Sequence, residues 1–238
     1  MRILALETSA KSVSCAVVED GAVLARSFQR TGLTHSRTLL PMVDATLQNA
    51  EISLDSIDLY AAAAGPGSFT GLRIGVSALK GLAWAADKPC VGVSTLRAMA
   101  QNLAHVDALL ICAMDARRDQ VYNALFEAKS GKLTRLCDDR AIGLDELAAE
   151  LRGDTRRKLV LGDGAVLAHG HLTQNGIACE LAPEALRYQD AVGVALAAEK
   201  AAERGETVSA QELSIAYLRI SQAERERNAR LQREASQN

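Results

Sequence analysis

The chain has 238 residues, of which 48% are hydrophobic and 24% are charged, and its formal net charge at pH 7 is −2. This composition is typical of a globular protein with one large or two small domains. The near-neutral charge argues against a protein that binds nucleic acid by itself, because such proteins present an excess of Lys and Arg to the phosphates. Aromatic residues make up only 3% of the chain, so the core must be built from Ala, Leu and Val.

The N-terminus reaches Glu7 too soon for a signal peptide, and no apolar stretch approaches the roughly 18 residues that a membrane span needs. The five cysteines are widely spaced, and no C-x-x-C motif occurs: Cys15, Cys90, Cys112, Cys137 and Cys179. This spacing favours buried free thiols in a reducing compartment. We therefore expect a cytoplasmic protein.

The hydrophobic pattern of the first half predicts three strands, a helix, a strand, a helix, a strand and a helix. The predicted strands cover residues 2–6, 13–18, 22–29, 57–64 and 90–93, and the helices cover 36–50, 72–86 and 94–104. Two consecutive hairpins open the chain, which a pure Rossmann domain would not do. The helix at 36–50 carries an apolar stripe with a period of about 3.6 residues.

The predicted order of strands and helices in the second half resembles that of the first half, but less regularly. It predicts strands at 108–114, 121–128, 133–137 and 158–161 and helices at 143–151 and 190–204. We divide the chain into an N-terminal domain at 1–104, a reduced C-terminal domain at 105–216 and a polar tail at 217–238. The tail carries five arginines, which are Arg219, Arg225, Arg227, Arg230 and Arg233. Its mixed charge predicts a solvated helix that frays, with RNA contact as the alternative.

The most informative stretch is GPGSFTGLRIG, residues 65–75, which lies between a predicted buried strand and a predicted helix. Gly-Pro-Gly fits a type II turn, and Ser68 or Thr70 can cap the helix that follows. A strand, a glycine turn and a helix N-terminus can together hold an anion, although the same turn can simply reverse the chain. The spacing matches neither a Walker loop nor a dinucleotide fingerprint.

Gly71 and Gly75 stand one helical turn apart in this segment. Each interior glycine costs a helix about 1 kcal/mol relative to alanine, so close packing against a neighbour is expected to offset that loss. The neighbour is either the chain's own sheet or another protein.

Five segments resemble the TsaB (also called YeaZ) family over nearly the whole chain: ILALETS, HSRTLLP, GPGSFTGLRIG, KGLAWAADKPCVGVSTL and MDARRDQVY. The resemblance implies an α/β protein of the actin-like ATPase (ASKHA) fold, with two similar subdomains whose mixed sheets are flanked by helices. It implies a non-catalytic subunit that heterodimerises with a TsaD-type subunit, which transfers threonylcarbamoyl to the adenosine next to the anticodon of tRNA. A TsaE-type ATPase would join the assembled complex, tRNA would be contacted only through that complex, and the chain alone would form a homodimer.

The resemblance also implies that the first two helices bind the partner. The residues expected at that interface are Leu39, Leu40, Val43, Leu47, Gly71, Leu72, Gly75 and Leu79. The alternative is that the same helix faces cover the chain's own sheet.

The catalytic relatives hold a metal with a His-x-x-x-His pair, and Thr95 and Met99 stand at those positions here. We therefore expect neither a metal site nor catalysis; a His169–His171 pair on one strand face is a weak alternative. Residues that could form weak nucleotide or phosphate loops are Thr8, Ser9, Ser12, Gly67, Ser68, Asp115, Gly162 and Gly164. We expect no cofactor of its own, with ATP or ADP bound weakly or at the subunit interface. The other functions considered are a phosphotransferase of the actin-like fold and a peptidase.

Overall fold

The computed structural model describes residues 1–219, which form eleven strands and seven helices. The first lobe contains strands β1 (Arg2–Glu7), β2 (Val13–Glu19), β3 (Ala22–Gln29), β4 (Leu59–Gly65) and β5 (Cys90–Ser94) and helices α1 (His35–Asn49), α2 (Phe69–Ala86) and α3 (Thr95–Gln101). The predicted order of elements in this half is confirmed. The polar tail from residue 220 onward, with Arg225, Arg227, Arg230 and Arg233, lies outside the described residues.

The second lobe contains strands β6 (Ala108–Asp115), β7 (Gln120–Lys129), β8 (Lys132–Arg135), β9 (Arg140–Gly143), β10 (Lys158–Leu161) and β11 (Glu180–Leu181). Its helices are α4 (Leu144–Leu151), α5 (Ala165–Gln174) and α6 (Glu184–Arg187), and α7 (Ala191–Glu203) follows. Strands β9 and β11 and helices α5 and α6 were not predicted from the sequence. Because His169 and His171 lie two residues apart on helix α5, the expectation that they share a strand face is wrong.

The two sheets repeat one topology. The first sheet has the order β3-β2-β1-β4-β5, and the path of the second is β8-β7-β6-β10-β11, with β9 paired to β7. In each sheet the first strand pairs antiparallel with the next strand of the chain and parallel with the strand that follows the first helix or helices. The doubled pattern expected from the sequence is therefore confirmed in the strand order.

Helices cover both faces of each sheet. Helices α1 and α2 pack on one face of the first sheet, and α7 packs on the other face. Helix α3 contacts strands of both sheets and also α7, so it lies at the junction of the lobes. Because α7 packs on the first sheet, the chain returns to the first lobe after completing the second. The division of the chain at residue 104 stays a prediction.

Within residues 1–219, no helix combines the length and apolar character needed to cross a membrane. The five cysteines are free; Cys15, Cys90 and Cys112 are buried, while Cys137 and Cys179 are half-buried.

Candidate functional site

Most of the turn between β1 and β2 is buried, and only Ala10 and Lys11 reach solvent. Thr8, Ser9 and Ser12 are almost inaccessible to solvent. The Thr8 hydroxyl donates to the carbonyl of Gly71 at 2.8 Å, and the Ser9 carbonyl accepts from the Ser68 N–H at 2.6 Å. This burial contradicts the expectation that the three side chains face a phosphate. Thr8 and Ser9 pack against the N-terminal part of α2, and the Ser12 hydroxyl donates to the carbonyl of Gln189 at 3.4 Å.

The glycines of residues 65–75 make this close approach possible. A Cβ on Gly67 would lie 2.5 Å from the Ser9 carbonyl oxygen, and a Cβ on Gly71 would lie 2.1 Å from that of Thr8. On Gly75 it would lie 2.2 Å from Thr8 Oγ1. The neighbour that requires glycine at 71 and 75 is therefore the chain's own β1–β2 turn, and the assignment of these two residues to a partner interface is wrong.

Ser68 caps helix α2 as predicted, since its Oγ accepts from the Gly71 N–H at 3.2 Å. The predicted type II turn is not formed: the positive φ, +120°, falls on Gly65 rather than Gly67. A Cβ on Gly65 would lie 2.3 Å from the carbonyl oxygen of Ala216, so the returning C-terminal segment also depends on glycine in this stretch.

The loops predicted in the second half pack against each other. Gly162 and Gly164 are buried, and an added Cβ on either would lie 2.0 to 2.7 Å from backbone atoms of Ala113 or Asp115. The Asp115 carboxylate accepts from the Arg117 N–H at 2.7 Å and so fixes its own loop. Gly67, Ser68 and Asp115 keep exposed atoms, so nucleotide binding that involves them stays a prediction.

A buried carboxyl lies at the junction of the lobes. Glu7 is fully buried; its Oε1 accepts from the Ser9 N–H at 2.5 Å, and its Oε2 has no hydrogen-bond partner among residues 1–219. Burial, together with the charges of Asp190 and Asp163, raises the pKa of Glu7 from 4.5 to about 7. Asp163 is itself bound by Gln189, whose Nε2 donates to Oδ1 at 2.8 Å.

This carboxyl makes stability depend on pH. The pKa of Glu7 is higher in the folded chain than in the unfolded chain, so the proton on Glu7 stabilises the folded state. This stabilisation is complete below about pH 4.5 and is lost as the pH rises through about 7. We expect Glu7→Gln, which keeps the acceptor for Ser9 and stays uncharged, to be more stable than the wild type at pH 8 by on the order of 3 kcal/mol. Urea unfolding at pH 5 and pH 8 measures this. Equal differences between the two proteins at both pH values would contradict it.

Most of the residues predicted to bind the partner are buried within the first lobe. Leu39, Val43, Leu47, Leu72 and Leu79 belong to the inward faces of α1 and α2 and are not available to another protein. The prediction is wrong for these five side chains because an amphipathic stripe marks the face that packs on the chain's own sheet. Leu40 is 50% exposed and remains a candidate.

Other apolar side chains lie on the outward faces of the same two helices. Trp84, the single tryptophan, is 69% exposed on α2, and Ile74 and Ala78 are half-buried on that helix. Helices α1 and α2 contact each other. Leu40, Ile74, Ala78 and Trp84 are among their apolar side chains that keep solvent exposure. We call these four residues the outer face. Tryptophan is enriched at the energetic centres of protein interfaces.

Thr95 and Met99 are buried in α3. Within the described residues, no group of three or more His, Cys, Asp or Glu side chains is placed to hold a metal ion.

Comparisons with known proteins find relatives of this chain both in sequence and in structure. The profile of the family described as "TsaD: tRNA N6-adenosine threonylcarbamoyltransferase" matches residues 29–219. The Escherichia coli protein named tRNA threonylcarbamoyladenosine biosynthesis protein TsaB is 34% identical over 205 residues, which cover 77% of this chain and 88% of that protein. YeaZ from Pseudomonas aeruginosa matches with a TM-score of 0.79 and 28% identity over 91% of this chain and 99% of its own.

A more distant structure shares the fold alone. Component A of the (R)-2-hydroxyglutaryl-CoA dehydratase from Acidaminococcus fermentans matches with a TM-score of 0.50 and 15% identity, over 85% of this chain and 99% of its own.

The doubled topology defines a protein of the actin-like ATPase fold, related to the threonylcarbamoyltransferases. Within that class, the chain belongs to the TsaB (YeaZ) family.

Proposed function

We propose that this chain is a non-catalytic partner subunit required for threonylcarbamoyl transfer to the adenosine next to the anticodon of tRNA, and that it acts by heterodimerising with a TsaD-type catalytic subunit. The observation that carries the proposal is the match along 88% of the Escherichia coli protein named for threonylcarbamoyladenosine biosynthesis. The match of residues 29–219 to the transferase profile supports an origin shared with the catalytic subunit.

The closed β1–β2 turn supports the absence of catalysis by this chain alone. In the actin-like fold, catalysis needs backbone amides around the phosphates and acids that hold Mg²⁺ and orient the nucleophile. Here the Ser68 N–H already donates to the Ser9 carbonyl and the Ser9 N–H to Glu7, and the unpartnered carboxyl oxygen of Glu7 is sealed from solvent. Since the β1–β2 turn is closed to a phosphate, we assign the first lobe the role of contacting a partner.

The outer face of α1 and α2 is the proposed contact with the catalytic subunit. Trp84 anchors one end of it, and Leu40 supplies the largest exposed apolar side chain of α1. An exposed apolar helix face tends to pair with a second copy, so the chain forms a homodimer when the catalytic subunit is absent. A TsaE-type ATPase completes the assembly; the resemblance to the family is the support for that step.

Two measurements on the purified chain test this proposal. Size-exclusion chromatography with light scattering should show a heterodimer when the TsaD-type subunit of the same organism is added. Calorimetry with ATP and Mg²⁺ on the chain alone separates a subunit from a phosphotransferase. Tight ATP binding with turnover that Asp115→Asn removes, in a chain that forms no heterodimer, would overturn the proposal.

A further inference from the structure

The chain after α7 forms a strap, residues 206–219, that runs along the first lobe. Val208 exchanges backbone hydrogen bonds with Cys90, and the Lys80 ammonium donates to two carbonyls of the strap. The Ala216 N–H donates to the carbonyl of Ala64 at 2.8 Å. The strap ends on the second lobe, where Arg219 Nη1 donates to the Ala116 carbonyl at 2.8 Å.

The strap places an aromatic stack at the surface. The rings of Tyr217 and Phe69 are 4.1 Å apart between centroids and inclined by 17°. The Arg73 guanidinium lies 4.3 Å from the Phe69 centroid, and its Nε donates to the Tyr217 hydroxyl at 3.1 Å. Tyr217 is 40% exposed. The chain has only one Trp, four Tyr and three Phe, and two of these eight aromatic side chains form this stack of a half-buried Phe69 and an exposed Tyr217.

The loop that receives Arg219 carries two further arginines on a strained backbone. Arg117, Arg118 and Asp119 have φ values of +62°, +57° and +54°, a left-handed conformation that costs each residue on the order of 1 kcal/mol. Hydrogen bonds to the backbone from Arg219 and Leu144 hold this loop in place. The result is that both arginine side chains are exposed. Backbone strain of this kind is concentrated at functional sites.

The charges of these arginines are not neutralised in the described structure. Arg73, Arg117, Arg118 and Arg219 form no salt bridge with a carboxylate of residues 1–219, whereas most arginines of the second lobe do. Two exposed carboxylates, Asp115 and Asp119, lie on the same loop as Arg117 and Arg118. The four arginines outnumber them, so the surface has a small excess of positive charge. We call the whole set the aromatic–arginine surface: Phe69, Arg73, Arg117, Arg118, Tyr217 and Arg219.

We propose that the aromatic–arginine surface binds single-stranded RNA, with a base stacked on Tyr217 and phosphates bound by Arg117 and Arg118. The proposal rests on the proposed function, in which the assembled complex acts on tRNA. Aromatic stacking combined with arginine is the usual chemistry of single-strand binding, since every base has a π face. The arginines without a carboxylate partner favour a polyanion. Tyrosine and arginine are also enriched at protein interfaces, so a protein partner is the alternative that the test must distinguish.

The test is equilibrium binding of a fluorescein-labelled anticodon stem–loop RNA, measured by anisotropy with the heterodimer and with the chain alone. Tyr217→Ala should weaken binding by about 5- to 100-fold with an unchanged salt dependence, because stacking carries no charge. Tyr217→Phe keeps the ring and should bind as the wild type does. Arg117→Ala/Arg118→Ala should weaken binding and reduce the slope of log K against log salt by roughly 1.4.

The matched control is Lys132→Ala/Arg152→Ala, which removes the same charge from exposed positions of the second lobe. An equal loss with this control, or unchanged binding by Tyr217→Ala, would overturn the inference. If the variants instead prevent heterodimer formation and leave RNA affinity intact, the surface is a protein contact and the inference is wrong. Failure of the wild-type chains to heterodimerise contradicts the proposed function, while RNA binding by the chain alone still decides this inference.

Discussion

Gly75→Ala is expected to destabilise the protein by about 2 kcal/mol or more, because the added methyl group would overpack a filled site. Its Cβ would lie 2.2 Å from Thr8 Oγ1, and Thr8 cannot turn away without losing its hydrogen bond to Gly71. Thr8→Ala removes the obstructing atoms. The double variant Thr8→Ala/Gly75→Ala should therefore be more stable than the sum of the two single changes predicts, which urea unfolding of the four proteins measures.

Two further variants sharpen this cycle. Gly71→Ala meets the backbone carbonyl of Thr8 at 2.1 Å, so Thr8→Ala should not rescue it. Gly81 lies on the exposed side of the same helix, with no atom within 4 Å of an added Cβ, and Gly81→Ala should stabilise the protein by up to about 1 kcal/mol. Equal behaviour of Gly75→Ala and Gly81→Ala would show that the β1–β2 turn does not pack against this helix.

Trp84→Ala is expected to weaken the heterodimer by about 30-fold or more, because truncating a tryptophan that an interface buries typically costs 2 kcal/mol or more. Trp84 is 69% exposed in the chain alone, so the melting temperature should change little. Surface plasmon resonance with the immobilised TsaD-type subunit measures the affinity.

Val166→Ala is the matched control for Trp84→Ala. Val166 is 61% exposed on α5, in the second lobe and away from the outer face. An equal loss of affinity with this control, or unchanged binding by Trp84→Ala, would place the interface elsewhere.

The sequence predicted the elements of this fold well where their patterns are local. The apolar runs of β1 and β4 and the stripe of α1 were enough to place those elements within a few residues. The seating of α7 on the first sheet could not be predicted, because periodicity shows that a helix has an apolar face and not which sheet covers it. Helix α5 was missed; His169, Gly170 and His171 give it a weak pattern.

The same limit explains the errors at the candidate site. The spacing of Gly71 and Gly75 correctly indicated a close approach, but only the structure shows that the approaching group is Thr8. The apolar stripe of α1 was predicted correctly, but Leu39, Val43 and Leu47 were assigned to a partner and instead pack inside the first lobe. Trp84 was the available signal for the outer face, since tryptophan is enriched at protein interfaces and this one is the single tryptophan of the chain.

The most direct test of the account is threonylcarbamoyl transfer to an unmodified tRNA transcript, supplied with threonylcarbamoyl-adenylate. The assay compares this chain alone, the TsaD-type subunit alone, and the two together. We expect modified tRNA only when both proteins are present, and its amount should fall when Trp84→Ala replaces the wild type. Modification by this chain alone would contradict its assignment as a non-catalytic subunit, and full activity of the larger subunit alone would contradict the requirement for it.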